Sequence, residues 1–286
     1  MELPKSVSER INNHTGSRIR KTHSLSGGCV GDVRKVELTD GRQIVAKLGA
    51  TNGTLAIEGF MLRYLATKSS LPVPEVLICQ DDLLVLQFLR SDGNLDRAAE
   101  IDAADAVADL HSITRDTYGF ECDTAIGGIP QPNPPTKCWL TFFRDARLCH
   151  MANEAVANRR LPIELRHRIE HLAERLEKWI PRSSPPALLH GDLWGGNILS
   201  ADSRIIGFID PAIYFGSPEI ELAFTTLFNT FSSTFFDRYR EHHKINPGFF
   251  EERRHLYNLY PLLVHVRLFG GTYIESVNQI LAKYGC

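Results

Sequence analysis

The sequence predicts an α+β chain of two lobes: a small β-rich N-terminal lobe over residues 1–89 and a larger, mainly helical C-terminal lobe over residues 90–286. Three observations predict it. Strand-like runs crowd the first lobe, helical periodicity dominates beyond residue 93, and two short apolar runs flank a Gly-rich loop inside that helical region. A length of 286 residues is enough to bury a sizeable core in each lobe.

Taken in order, residues 33–38 and 43–48 read as strands, and the Asp40-Gly41 pair between them is a hairpin signal. Residues 55–65 space their apolar side chains as a helix does, and Pro72-Val73-Pro74 stops it. The run 83–89 is short and apolar, which suits a buried strand closing the first lobe. Helices are then expected over 101–113, 139–158, 163–179, 219–244 and 249–283, with a kink at Pro261. The pieces 187–190 and 205–210 read as strands on either side of the loop that follows His190.

Composition narrows the partners. With 43% hydrophobic and 23% charged residues the chain is an ordinary globular one, and a formal net charge of -2 argues against a nucleic-acid surface. No apolar run suits a signal peptide or a membrane span, so a cytoplasmic protein with a small-molecule partner is expected, with oligomerisation not predicted. The six cysteines, Cys29 among them, form no Cys-x-x-Cys pair, which speaks against a zinc site or a disulfide framework.

The chemistry concentrates at His190-Gly191-Asp192-Leu193-Trp194-Gly195-Gly196-Asn197. Transfer of a phosphoryl group from a nucleotide needs a base or orienting group at the acceptor hydroxyl, magnesium, and cations on the phosphates. Asp192 and Asn197, five apart after a strand, match the kinase pattern in which the Asp faces the acceptor and the Asn takes a metal. Asp210 closes the next apolar run, where a carboxylate suits magnesium. Singly these are common turn residues; their order is what points to catalysis. His190 is expected to hold the loop rather than to move protons. In the first lobe, Lys47 ends a strand and Glu58 follows on a helix, an arrangement that suits phosphate neutralisation by the lysine and its orientation by the glutamate. An exposed strand-end lysine and a surface glutamate are the plainer reading. The loop carrying Gly27, Gly28 and Cys29 is not a Walker loop; it reads as a cover for phosphates or as a plain hairpin turn. Its Cys29 is either a reactive thiol or a small buried hydrophobe.

The string from His190 to Asn197, followed by Phe208-Ile209-Asp210-Pro211-Ala212, resembles the fructosamine kinase (ketosamine kinase) family, a branch of the aminoglycoside phosphotransferase and choline kinase group. Trp194, two residues after Asp192, is the feature similar to fructosamine kinases in particular. Further likeness lies in Gly27-Gly28-Cys29, Val107-Ala108-Asp109-Leu110-His111, Tyr118-Gly119-Phe120, Gln131 with Asn133, Trp139 to Phe143, Arg147-Leu148 and Leu259-Tyr260-Pro261. The resemblance implies a protein-kinase-like fold and transfer of the ATP γ-phosphate to the sugar of a ketosamine, such as a glycated lysine, at O3, leading to deglycation. It implies Asp192 as base, Asn197 and Asp210 as magnesium ligands, and Lys47 with Glu58 as the phosphate pair. Adenine would lie against the backbone of Gln87, Phe88 and Leu89, and Trp194 would wall the sugar pocket. Trp139, Phe143 and Arg147, at helical spacing, read as core and a surface salt bridge rather than as substrate contacts. One departure stands out: Glu221 occupies a position where the family usually has Asp, next to Ser217-Pro218, which bears on how the catalytic loop is tied down. Competing readings are a kinase for an aminoglycoside, choline or another sugar, and a non-catalytic ATP-binding regulator.

Overall fold

Alternation along one strand, Gln43–Leu48 (β3), sorts the side chains of the N-terminal part of the molecule onto two faces. A computed structural model describes residues 3–25, 31–50, 53–182 and 185–286. Helix α1 spans Lys5–Thr15, and strands β1, β2, β4 and β5 span Ile19–Ser24, Asp32–Leu38, Val76–Cys79 and Leu83–Gln87. The strands form an antiparallel sheet in the order β1-β2-β3-β5-β4. Ile44 and Ala46 of β3 join Leu83 and Val85 of β5, with Val7 and Ile11 of α1, in one buried cluster. Val45 packs the other way, with Leu84, Leu86 and the α2 residues Leu55 and Leu62, α2 being Thr54–Lys68.

The β2–β3 hairpin pairs Val36 with Ile44, and its turn uses Gly41 at φ 89°, a left-handed conformation that glycine adopts without steric cost. Neither α1 nor β1 stands out in the sequence, because α1 buries only Val7 and Ile11 and β1 has no strict alternation.

By packing, the chain divides into one unit of Met1–Ala106 with Gly196–Pro211 and another of Val107–Gly195 with Ala212–Cys286. This differs from a cut at residue 89/90. The hairpin of β9 (Ile198–Ala201) and β10 (Arg204–Phe208) returns to the first unit, where the amide of Asp92 donates to the Ser200 carbonyl at 2.9 Å and that of Ile205 to Asp102 Oδ2 at 2.8 Å.

Helix α3, Arg97–His111, leads into the second unit. There β6 (Thr124–Ile126) pairs with β7 (Ile129–Gln131), and β8 (Ala187–Leu189) pairs with β11 (Tyr214–Gly216). Helix α4 (Trp139–Phe142) passes through a π-helical turn, Phe143–Cys149, into α5 (His150–Ala157), and α6 is Ile163–Ala173. Trp139 is fully buried, stacks on Phe142 and Phe143, and donates through Nε1 to the Tyr257 hydroxyl at 3.1 Å, as a core residue should.

Two expected long helices are divided. Residues 219–244 form α7 (Pro218–Leu227) and α8 (Ser233–His242), broken where Asn229 takes φ 50° and Ser232 caps α8 by accepting from the Thr234 amide. Residues 249–283 form a π-helical turn, then α9 (Arg254–Phe269) and α10 (Thr272–Lys283), parted by Gly270 and Gly271 at φ 64° and 62°. Helix α9 continues through Pro261. Among the described residues no helix is long and apolar enough to cross a membrane.

Candidate functional site

In the first unit, strand alternation places Lys47 on the same side of β3 as Val45, facing α2. Helix α2 approaches closely because Gly59 has no side chain; a Cβ there would lie 2.4 Å from Cys79 Sγ. The residue before it, Glu58, then meets Lys47 with Nζ to Oε1 at 2.7 Å, and the same ammonium contacts Asp210 Oδ1. Lys47 is buried rather than an exposed strand-end lysine. Burial works against its charge, but the two carboxylates outweigh burial and hold its pKa above the ordinary lysine value. Glu58 moves up, because burial and the neighbouring Asp210 together outweigh the one ammonium they share.

Asp210 follows β10 with φ 54°, a left-handed conformation unusual for a side chain bearing Cβ and one that recurs at functional positions. Asn197 is buried in the same unit, and its carbonyl accepts the Ile209 amide at 3.0 Å, tying the two segments together. Their side chains offer hard oxygen donors of the kind magnesium takes, so the pair fits magnesium. Among the described residues no group of three or more His, Cys, Asp or Glu could hold a metal. A magnesium ion there would fill its shell with phosphate oxygens and water, its usual habit beside a nucleotide.

In the second unit, the loop after β8 is held from beneath. Gly191, at φ 86°, sits so close to the Ala212 carbonyl that a Cβ would lie 2.0 Å from its oxygen. Ala212 donates its amide to the His190 carbonyl at 2.7 Å. Glu221 of α7, buried, accepts the His190 amide at Oε2 (3.1 Å) and the Gly191 amide at Oε1. Its Oε2 also accepts from His111 Nε2 at 3.0 Å, which assigns the imidazole proton to Nε2, and the Tyr239 hydroxyl meets Nδ1 at 2.7 Å. The glutamate thus ties down the loop carrying Asp192, which answers the question its identity raised. Burial raises the Glu221 pKa, but His111, His190 and the Gly191 amide outweigh burial and hold it below the ordinary 4.5.

A carboxylate depressed in the folded state contributes stability that is present above its unfolded value and lost as pH falls through its folded value. Glu221→Gln should therefore be about 2 kcal/mol less stable than the parent at pH 7, because the amide keeps one acceptor for two backbone donors. The gap should narrow below about pH 4.5; denaturant unfolding at several pH values measures it.

Trp194 is half-buried beside Phe228, with ring centroids 5.7 Å apart at 61°. Phe228 packs on His265 at 5.1 Å, and His265 on Tyr273 at 4.9 Å and Phe269 at 5.8 Å. Burial lowers the His265 pKa, against a smaller opposing effect of the Pro261 carbonyl, which accepts Nδ1–H at 2.7 Å; the ring is neutral at pH 7. Phe228 and Phe269 remain exposed. Nothing in the spacing alone joins these rings, since they come from the loop after β8, the end of α7, α9 and α10.

Of the residues expected near adenine, Gln87 has committed its amide to the Glu75 carbonyl at 2.9 Å, Phe88 lies under the Lys35 ammonium at 4.3 Å, and Leu89 packs over Gly207. Gly27, Gly28 and Cys29 lie outside the described residues. Arg147 makes no surface salt bridge: it is fully buried, bonded to the Pro132 carbonyl and Asn133 Oδ1, with its guanidinium 3.9 Å from the Tyr214 ring centroid. Sequence reasoning missed the roles of His111 and Tyr239; the His at the end of α3 was the available signal.

The fructosamine kinase family model matches residues 3–285. The chain is 33% identical over 296 aligned positions to the probable ketoamine kinase of Synechocystis sp., covering 97% of this chain and 95% of that one. It is 29% identical to a chloroplastic protein-ribulosamine 3-kinase of Oryza sativa, over 94% of this chain and 80% of the relative. Among solved structures, a "putative fructosamine-3-kinase" of Thermobifida fusca superposes with a TM-score of 0.84 at 27% identity, covering 98% of this chain and all of that one. The gentamicin complex of the aminoglycoside phosphotransferase APH(2")-IIa, at 15% identity and a TM-score of 0.68, shares the fold. A two-lobed protein-kinase-like architecture, a small antiparallel sheet followed by a helical bulk, is common to these neighbours and to this chain, and with a match over nearly its whole length the chain belongs to the fructosamine kinase family.

Proposed function

We propose that this protein is an ATP-dependent small-molecule kinase that phosphorylates the sugar of ketosamines at O3, the product then releasing its amine. The observation that carries this reading is the family match over residues 3–285. The names of the Synechocystis and rice relatives support the ketosamine acceptor, and that of the rice relative supports position 3.

Asp192 accepts the proton of the attacking hydroxyl, on a loop whose backbone amides Glu221 holds in place. Lys47, oriented by Glu58, donates to nucleotide phosphates. Asn197 and Asp210 would hold magnesium, which would supply positive charge to the transferring phosphoryl group. Adenine takes its backbone hydrogen bonds from Phe88 and Leu89, since the Gln87 amide is committed to Glu75.

Trp194 and Phe228 form an aromatic wall against the acceptor, with the neutral His265 behind it. Such a wall suits the C–H face of a sugar and the secondary ammonium of its amine. Trp194→Ala should raise KM for the ketosamine about 10- to 100-fold through lost contact area, with KM for Mg-ATP unchanged. Equal effects on both substrates would remove Trp194 from the acceptor side. The test of the whole reading is ADP release with Mg-ATP, comparing ribulose-lysine and fructose-lysine with choline, an aminoglycoside and free sugars. Turnover confined to choline or the aminoglycoside would replace the ketosamine, and binding of ATP with no turnover on any acceptor would replace the kinase.

A further inference from the structure

Gln131, Asn133 and Arg147 take no part in the chemistry above, yet they meet in a buried polar network next to the segment that seats Gly191. Gln131 and Thr124 face each other across the β6–β7 hairpin, whose turn is Gly127-Gly128 at φ 54° and 78°. Gln131 is fully buried, and every polar function of its amide is used. Nε2 donates to Thr124 Oγ1 at 2.8 Å and to the Ala212 carbonyl at 3.0 Å, while Oε1 accepts the Tyr260 hydroxyl at 2.6 Å. Burial keeps that phenol protonated, hence a donor. Thr124 Oγ1 in turn donates to the Ile213 carbonyl at 3.2 Å, and Asn133 Nδ2 donates to Thr124 Oγ1 at 2.9 Å.

Arg147 closes the network. It donates to Asn133 Oδ1 at 2.7 Å and to the Pro132 carbonyl at 2.8 Å and lies over the ring of Tyr214, while its buried Nε has no hydrogen-bond partner among the described residues. The target of these bonds is narrow. They hold two successive carbonyls, Ala212 and Ile213; the Ala212 carbonyl lies against the Cα of Gly191, and the amide of the same residue donates to the His190 carbonyl. Asp192 is the next residue along that loop. Because every polar function of the Gln131 amide is taken up inside the fold, a shift of that side chain strands a polar atom without water.

We propose that Gln131 is a positioning residue for the catalytic loop: it fixes the Ala212 carbonyl, and through the Gly191 contact the orientation of Asp192. This rests on the role given above to Asp192. A purely structural glutamine would, when replaced, lower stability while leaving turnover per folded molecule intact. A positioning one also lowers kcat and leaves the affinity for Mg-ATP alone, because small misplacements of a base are costly in rate.

The test uses Gln131→Met, which keeps the length of the side chain without its hydrogen bonds, and Tyr260→Phe, which removes only the donor to Oε1 and guards against misfolding of the first variant. Asp192→Asn runs beside them. In Gln131→Met, kcat with the ketosamine should fall about 10- to 100-fold and KM for Mg-ATP should stay within about twofold; Tyr260→Phe should show a smaller loss of the same kind. Hydrogen exchange of the peptide covering 188–195 should quicken in both, with that covering 43–48 unchanged. Parental kcat per folded molecule in both variants, while Asp192→Asn is inactive, overturns the inference and leaves the kinase reading standing. Absence of turnover in the parent itself would instead count against that reading, and the exchange measurement then decides: quickening confined to 188–195 supports the clamp, and unchanged exchange there overturns it.

Discussion

Asp192→Ala is expected to lower kcat by roughly a hundred- to ten-thousand-fold, the range for losing a positioned base, with KM for Mg-ATP little changed. The specific expectation follows from how the loop is built. His190 and Gly191 are fixed by their backbone amides to Glu221 and by the Ala212 amide, and these ties remain when the Asp192 side chain is removed. The variant should therefore unfold at nearly the parental denaturant midpoint. Steady-state ADP release and denaturant unfolding on the same preparation decide the matter: a variant with near-parental turnover strips Asp192 of its role. One that loses stability in step with activity shows that the side chain holds the loop.

Lys47→Met should do damage of two kinds. Removing the ammonium takes away a charged donor to the nucleotide, worth about 1.5–3 kcal/mol, so kcat/KM for Mg-ATP should fall roughly 10- to 150-fold. It also leaves Glu58 and Asp210 facing each other, and breaking a buried ion pair on one side costs about 3–5 kcal/mol. The lower end applies, since the Asp210 side chain is 31% exposed and water screens part of the repulsion. The sign of the pH dependence is fixed by Glu58. Its folded pKa already lies above the ordinary value through burial and Asp210, and loss of Lys47 raises it further. A raised carboxyl favours the folded state at low pH, and that contribution is lost as pH rises through the folded value. The variant should thus fall further behind the parent as pH rises above the ordinary carboxylate range, read by denaturant unfolding. A constant gap would mean that Glu58 and Asp210 do not share the ammonium.

The two predictions differ in how far each was legible without coordinates. Asp192 and Asn197 are set five apart by the chain itself, and Asp210 ends a recognisable apolar run, so local spacing sufficed to single them out. Lys47 and Glu58 were legible as a pair because a strand and the next helix have fixed periods; the third member of their cluster comes from far along the chain. The long C-terminal helices were over-extended because periodicity runs through Asn229 and Gly270, where left-handed backbone ends the helix without breaking the apolar pattern. Arg147 was misplaced on the surface because a cation at helical spacing ordinarily faces solvent. The aromatic faces and carbonyls that accept it belong to other elements.

What the sequence by itself determined is therefore the strand-rich first part and helical remainder, the candidate residues for phosphoryl transfer and, through the string around Trp194, the family. Those rest on spacing and on side-chain chemistry, both local. What only the tertiary structure decided is how these residues are held: Glu221 under two amides, the Gly59 contact that brings Glu58 to Lys47, and the Gln131 network behind Ala212. Each joins residues far apart in the chain through burial. A buried polar group must find a partner wherever the fold brings one, and no local pattern says which it will be.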